Sequence, residues 1–191
     1  MIRAFIAVEI DPAVIQRMIE VTDELKDRIP GIRWNAQSNC HLTLKFLGDI
    51  DEGQVEPIAR ALEGALSPFP RFTINAKGLG VFPDAKKPRV LWIGVEGKPL
   101  ASMAEKIESA LVPLGFEREK KSFTPHLTIG RWRQFKRLEM NLADTLEKYQ
   151  NRNFGVSAVD KAILFQSILN PGGAVYRTLK AVRLSIESTF A

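Results

Sequence analysis

The chain's only two histidines stand in matching tetrapeptides, His41-Leu42-Thr43-Leu44 and His126-Leu127-Thr128-Ile129. On a strand, side chains alternate, so each His shares a face with the Thr two residues on, while Leu42, Leu44, Leu127 and Ile129 take the other. The apolar faces fill a core and the polar faces look outward. If two such strands pack about a pseudo-twofold axis, two imidazoles and two hydroxyls meet across one cleft. An imidazole titrates near neutrality, so a facing pair can take a proton and give one in the same step. Two threonine hydroxyls beside them suit the non-bridging oxygens that gain charge as a phosphoryl group reacts. The residues therefore point to acid-base phosphoryl chemistry with His41, His126, Thr43 and Thr128 as its parts. They leave open which His is the acid.

A metal site is the chemical rival, because Asp49, Asp51 and Glu52 follow the first motif. The second motif is followed by Arg131, Arg133, Lys136 and Arg137 instead, a poor setting for a dication, so no metal or other cofactor is expected. Cys40, the single cysteine, precedes His41 and so points to the core face, where an inert buried thiol is expected.

The elements that must hold these residues repeat as well. Ile2–Val8 reads as a strand, and Asp11-Pro12 caps a helix whose stripe is Val14, Met18, Val21 and Leu25. A strand over His41–Leu47, a helix with Val55, Ile58, Leu62 and Leu66, and a strand over Phe72–Ala76 complete the first set. Pro57 fits that second helix only in its first turns. The order then recurs: a strand over Val90–Val95, a helix with Leu100, Met103, Ile107 and Leu111, and the second motif strand over His126–Gly130. A helix with Leu138, Leu142, Leu146 and Tyr149 and a strand over Phe154–Val159 end it. His126 follows His41 by 85 residues, and the flanking strands recur at nearly the same offset, which marks a duplicated β-α-β-α-β unit. A closing hairpin spans Lys161–Ile168 and Ala174–Val182 across Asn170-Pro171-Gly172-Gly173. The expected fold is α+β, one two-lobed domain over residues 1–191, with pseudo-repeats at about 1–80 and 88–160 and the hairpin at about 161–184.

Composition narrows the class further. With 45% hydrophobic and 26% charged residues the chain is neither disordered nor fibrous. No apolar run nears the ~18 residues of a membrane helix, and MIRAFIAVEI meets Glu9 and Asp11 before a signal-peptide core forms, so no membrane partner is expected. One cysteine excludes an internal disulfide, and a reducing cytoplasm is the natural setting. The net charge of +5 favours polyanionic partners. Arg131-Trp132-Arg133-Gln134-Phe135-Lys136-Arg137 forms a basic rim with aromatics, suited to RNA phosphates and base stacking. Arg131 stands at the end of the second motif strand and is expected to contact phosphate.

On these motifs the chain resembles the two-histidine (2H) phosphoesterase superfamily, and within it the RNA 2′,3′-cyclic phosphodiesterase branch, also called 2′-5′ RNA ligase. The resemblance extends to Arg3-Ala4-Phe5-Ile6-Ala7, Gly80-Val81-Phe82-Pro83, Pro88-Arg89-Val90-Leu91-Trp92, Thr124-Pro125 before the second motif with Gly130-Arg131 after it, and Gly173-Ala174-Val175-Tyr176. It implies two pseudo-symmetric lobes with antiparallel sheets around a central groove. It also implies metal-independent hydrolysis of a terminal RNA 2′,3′-cyclic phosphate to a 2′-phosphomonoester, with His41 as proton donor and His126 as proton acceptor. Ligation would have a 5′-hydroxyl replacing water. The partners implied are RNA ends or nucleotides with a 2′,3′-cyclic phosphate, with no obligate protein partner. Arg89 and Trp92 resemble groove-lining substrate-binding positions, but they fall on opposite faces of a strand, so at least one is expected to be structural. Tyr176 either caps the groove or packs. The rival from another class, a non-catalytic nucleotide- or RNA-binding module on this fold, is disfavoured because both acid-base residues are present.

Overall fold

The computed structural model describes residues 1–36, 40–133, 142–170 and 173–186. Its elements run β1 (Ile2–Glu9), α1 (Pro12–Lys26), β2 (Ile32–Trp34), β3 (His41–Ile50), α2 (Val55–Leu66), β4 (Phe72–Phe82), β5 (Val90–Glu96), α3 (Pro99–Leu111), β6 (His126–Trp132), α4 (Leu142–Tyr149), β7 (Asn153–Val159), β8 (Lys161–Asn170) and β9 (Gly173–Arg183). The α+β alternation read from periodicity is present. Leu138 and the segment Gln134–Arg137 lie outside the described residues.

Local chemistry sets the boundaries. Asp11 caps α1 by accepting from the Ala13 amide at 2.8 Å, with Pro12 at the first helical position, where its missing N–H costs nothing. The Asp11 amide in turn donates to the buried Ser157 hydroxyl on β7 at 2.9 Å, which ties the β1–α1 turn to a distant strand. Pro57 falls in the first turn of α2, as its chemistry requires.

Two antiparallel sheets form, with strand orders β3-β1-β8-β9 and β2-β6-β5-β4-β7. Sheet membership cuts across the sequence units. β4, from the first unit, pairs with β5 and β7, while the closing hairpin β8–β9 joins β1. The reason is local. β4 does not end at Ala76 but runs on through a bulge at Gly78, whose φ of +73° an L side chain rarely adopts. Asp84 then accepts from the Lys86 and Lys87 amides at 2.8 and 3.0 Å, a turn that folds β4 back onto β5.

One apolar cluster runs through both lobes, from Ile6 and Val8 on β1 and Leu42 on β3 to Leu91 and Ile93 on β5 and Leu127 on β6. Helices cover it: α1 packs on β7, α3 on β3, α4 on β4, and α2 on α3 and β9. The unbroken apolar run of β1 has a second cause. Phe5 and Ala7, on its other face, join Ile163 and Phe165 in a small separate cluster with Tyr176 packed against it. That second cluster lies on the side of His41. Among the described residues no helix is long and apolar enough to cross a membrane.

Candidate functional site

His41 opens β3 and His126 opens β6, and each is partly buried. Both motif strands carry a bulge at the same place. Ala7 pairs with Thr43 and Ile6 with Lys45, leaving Leu44 over; Trp92 pairs with Thr128 and Leu91 with Gly130, leaving Ile129 over. Each bulge sits three residues after the His and reverses the alternation beyond it. In a regular strand, positions five apart face opposite ways. Here they face the same way: Leu127, Ile129 and Trp132 are buried, while Arg131 is exposed on the face of His126 and Thr128. The counterpart of Arg131 on β3 is Phe46, 60% exposed and 6.1 Å from Phe5 between ring centroids. The duplication therefore reaches down to the bulge, and one copy has exchanged a cation for an aromatic ring.

Aromatic side chains wall each imidazole. The His41 ring lies 4.7 Å from Phe5 and meets Tyr176 edge-on at 4.9 Å. The His126 ring meets Phe82 edge-on at 5.0 Å, with Trp92 at 6.3 Å. Such walls lower the local dielectric and strengthen any charge interaction between them. Burial pulls the His126 imidazole below its ordinary value near 6.5, the hydrogen bond to the Thr124 carbonyl opposes this, and the Arg131 charge adds to the lowering. The His126 Nδ1 is 2.7 Å from the Thr124 carbonyl oxygen. A carbonyl only accepts, so Nδ1 carries the proton of the neutral ring and Nε2 presents a lone pair.

Arg131 relates the two halves. Its charge acts on His126 and also on Tyr176, whose phenol is raised by burial and lowered by Arg131, and Tyr176 is the residue packed edge-on against His41. β3 and β6 also contact one another where the sheets meet. Arg131 thus acts on groups that pack at both histidines.

The other sequence candidates divide. Trp92 lies directly opposite Thr128 on the site face, and its ring covers Gly80 so closely that a Cβ there would stand 2.1 Å from it. Arg89 lies one residue ahead of the strand that carries Trp92. It is exposed just before β5, three residues from Trp92 and so of opposite facing, and its backbone binds Phe82 and Trp132. Trp132 is core rather than rim, and Arg133 is exposed. Cys40 packs beside Met18, with its Sγ 3.6 Å from the Met18 sulfur, and burial pushes its thiol up to about 12, so it is no nucleophile at neutral pH. Phe5, Phe82 and Phe165 were missed from sequence, where an aromatic on an apolar strand carries no sign that its ring turns from the core.

Residues 8–92 and again 93–176 match the family described as LigT-like phosphoesterase, so two consecutive copies cover most of the chain. The chain belongs to the LigT-like phosphoesterase family. This LigT-like phosphoesterase is 36% identical over 179 residues to the RNA 2′,3′-cyclic phosphodiesterase of Archaeoglobus fulgidus, covering 93% of the chain and 98% of that relative. It is 32% identical over 184 residues to the protein of the same name from Methanothermobacter thermautotrophicus, covering 96% and 99%. The crystal structure of TT0787 from Thermus thermophilus superposes with a TM-score of 0.79 at 26% identity, covering 95% of this chain and 97% of that one. The resemblance drawn from the two motifs holds across the full fold.

Proposed function

We propose that this phosphoesterase hydrolyses a terminal 2′,3′-cyclic phosphate on RNA to a 2′-phosphomonoester, with His126 as general base and His41 as general acid. The observation that carries the assignment is the Nδ1 contact of His126 with the Thr124 carbonyl, which leaves Nε2 free to take a proton. Its lowered pKa keeps that nitrogen unprotonated at neutral pH. The names of the Archaeoglobus and Methanothermobacter relatives support the substrate.

In this reading His126 takes a proton from water as the water oxygen bonds to phosphorus. The bond from phosphorus to the 3′-oxygen breaks, and His41 supplies the proton that oxygen needs. Proton exchange with solvent then resets both rings. Thr43, Thr128 and Arg131 meet the non-bridging oxygens as their charge grows. With a terminal 5′-hydroxyl in place of water, the same ring opening uses the same groups and gives a 2′-5′ linkage. No step is assigned to a metal.

The test is incubation with a short RNA ending in 2′,3′-cyclic phosphate, in the presence of a chelator, with chromatography that separates 2′- from 3′-phosphate products. A 2′-phosphate product is expected. A 3′-phosphate product, conversion only when metal is added, or RNA bound without turnover would each overturn the proposal, the last in favour of a binding module. Thr43→Val and Thr128→Val are each expected to lower kcat by about 10-fold to 10^3-fold with little change in KM, as loss of one donor to a developing charge does. A rise in KM at constant kcat would show that the hydroxyls only bind.

A further inference from the structure

β2 was invisible in the sequence, being three residues long, and it sets a second cation beside Arg131. It pairs antiparallel with β6 in the register Ile32 with Trp132, Arg33 with Arg131 and Trp34 with Gly130. Ile32 and Trp34 pack against the core. Arg33 therefore faces the other way and is exposed beside Arg131, since residues directly opposite in an antiparallel pair share a face with Cβ atoms about 4.5–5.5 Å apart. Like charges placed so are unfavourable. Among the described residues neither guanidinium has a carboxylate partner. The Arg33 side chain also reaches the other lobe: its Nη2 lies 3.4 Å from where a Cβ on Gly173, at the start of β9, would stand. The φ of +134° at Gly173 further disfavours a side chain there.

Two adjacent guanidiniums on the face of β6 that carries His126, with no carboxylate bonded to either among the described residues, form a receptor for an anion. Planar forks of this kind bind phosphate oxygens two at a time. Resting on the function proposed above, we propose that Arg33, with Arg131 beside it, binds a second phosphate of the substrate. This is the phosphodiester that joins the terminal nucleoside to its neighbour. The preferred substrate is then an oligonucleotide end rather than a mononucleoside cyclic phosphate. Arg131 serves both anions: the cyclic phosphate toward His126 and the linking phosphate toward Arg33.

The experiment compares kcat/KM of wild type and Arg33→Gln on three substrates. These are a mononucleoside 2′,3′-cyclic phosphate, the same compound carrying a 5′-phosphate, and a dinucleotide whose one added phosphate is the linking phosphodiester. Wild type is expected to favour the dinucleotide over the mononucleoside by about tenfold or more, the value of a charge-assisted contact. Arg33→Gln should remove most of that ratio and lower the salt dependence of the dinucleotide reaction by about 0.7 in logarithmic slope. A ratio unchanged by the substitution overturns the proposal, whether both rates fall or neither does. An advantage seen with the 5′-phosphate but not with the dinucleotide overturns it in favour of a site for a terminal phosphomonoester. If wild type hydrolyses none of the three, the function proposed above has failed and this inference with it.

Discussion

Replacing His126 or His41 by alanine is expected to lower kcat on a cyclic phosphate end by about 10^2 to 10^4, the usual share of one positioned acid or base. The two losses have different causes. Without His126 no group draws the proton from water, although the Thr124 carbonyl and the wall of Phe82 and Trp92 remain. Without His41 the 3′-oxygen leaves as an unprotonated alkoxide from a pocket lined by Phe5 and Tyr176, where a new negative charge is poorly solvated. Each ring is partly buried at the start of a strand, so unfolding midpoints of both variants are needed to separate lost chemistry from lost fold. Steady-state kinetics on the cyclic RNA end provide the check, and turnover within a few-fold of wild type in either variant would remove the two-histidine mechanism.

The second large effect is on stability and sits directly behind the first motif. Lys45 follows the bulge in β3 and is buried, with its Nζ donating to Glu108 Oε2 of α3 at 2.7 Å and to the Glu117 carbonyl at 2.9 Å. The pair joins the strand that carries His41 to the helix that precedes the second motif strand. The matching position on β6 is Gly130, where a Cβ would stand 2.5 Å from Ile32, so β2 occupies there the space that Lys45 spans on β3. Lys45→Met leaves a buried carboxylate without its partner and is expected to cost about 3–5 kcal/mol in urea unfolding. Lys45→Met with Glu108→Leu should recover most of that loss, because an apolar pair of similar volume needs no compensation. A single variant as stable as wild type, or a double variant no better than the single, would show that the pair does not hold this junction.

The paired motifs were legible in the sequence because they are local. Two histidines in matching tetrapeptides place His and Thr on one strand face by alternation alone, and helical periodicity located α1, α2 and α3 with their buried stripes. What sequence did not carry is pairing between distant strands. Nothing in Phe72–Ala76 marks it as a neighbour of β5 rather than β1, and the Gly78 bulge that extends β4 reads as a strand end. The same holds for the site. Arg131 was found from its charge and position, but its facing depends on the bulge at Ile129, and regular alternation would have turned it to the core. Arg33 gave no signal, because the strand that aims it exists only by pairing with β6. Arg89 and Trp92, named together from resemblance, stand three residues apart and face opposite ways by alternation.

A division of labour between two imidazoles must show in the pH profiles of kcat/KM for wild type and the two alanine variants. Protonation of His126 stops its action as base, and burial together with Arg131 holds its pKa below 6.5, so the wild-type rate should rise with pH to a midpoint below that value. It should fall again at higher pH as the acid loses its proton. The residual rate of His126→Ala should lack the rising limb and keep the falling one, while His41→Ala should show the reverse. The opposite pattern would exchange the two roles, and profiles that keep both limbs in both variants would contradict acid-base catalysis by these histidines.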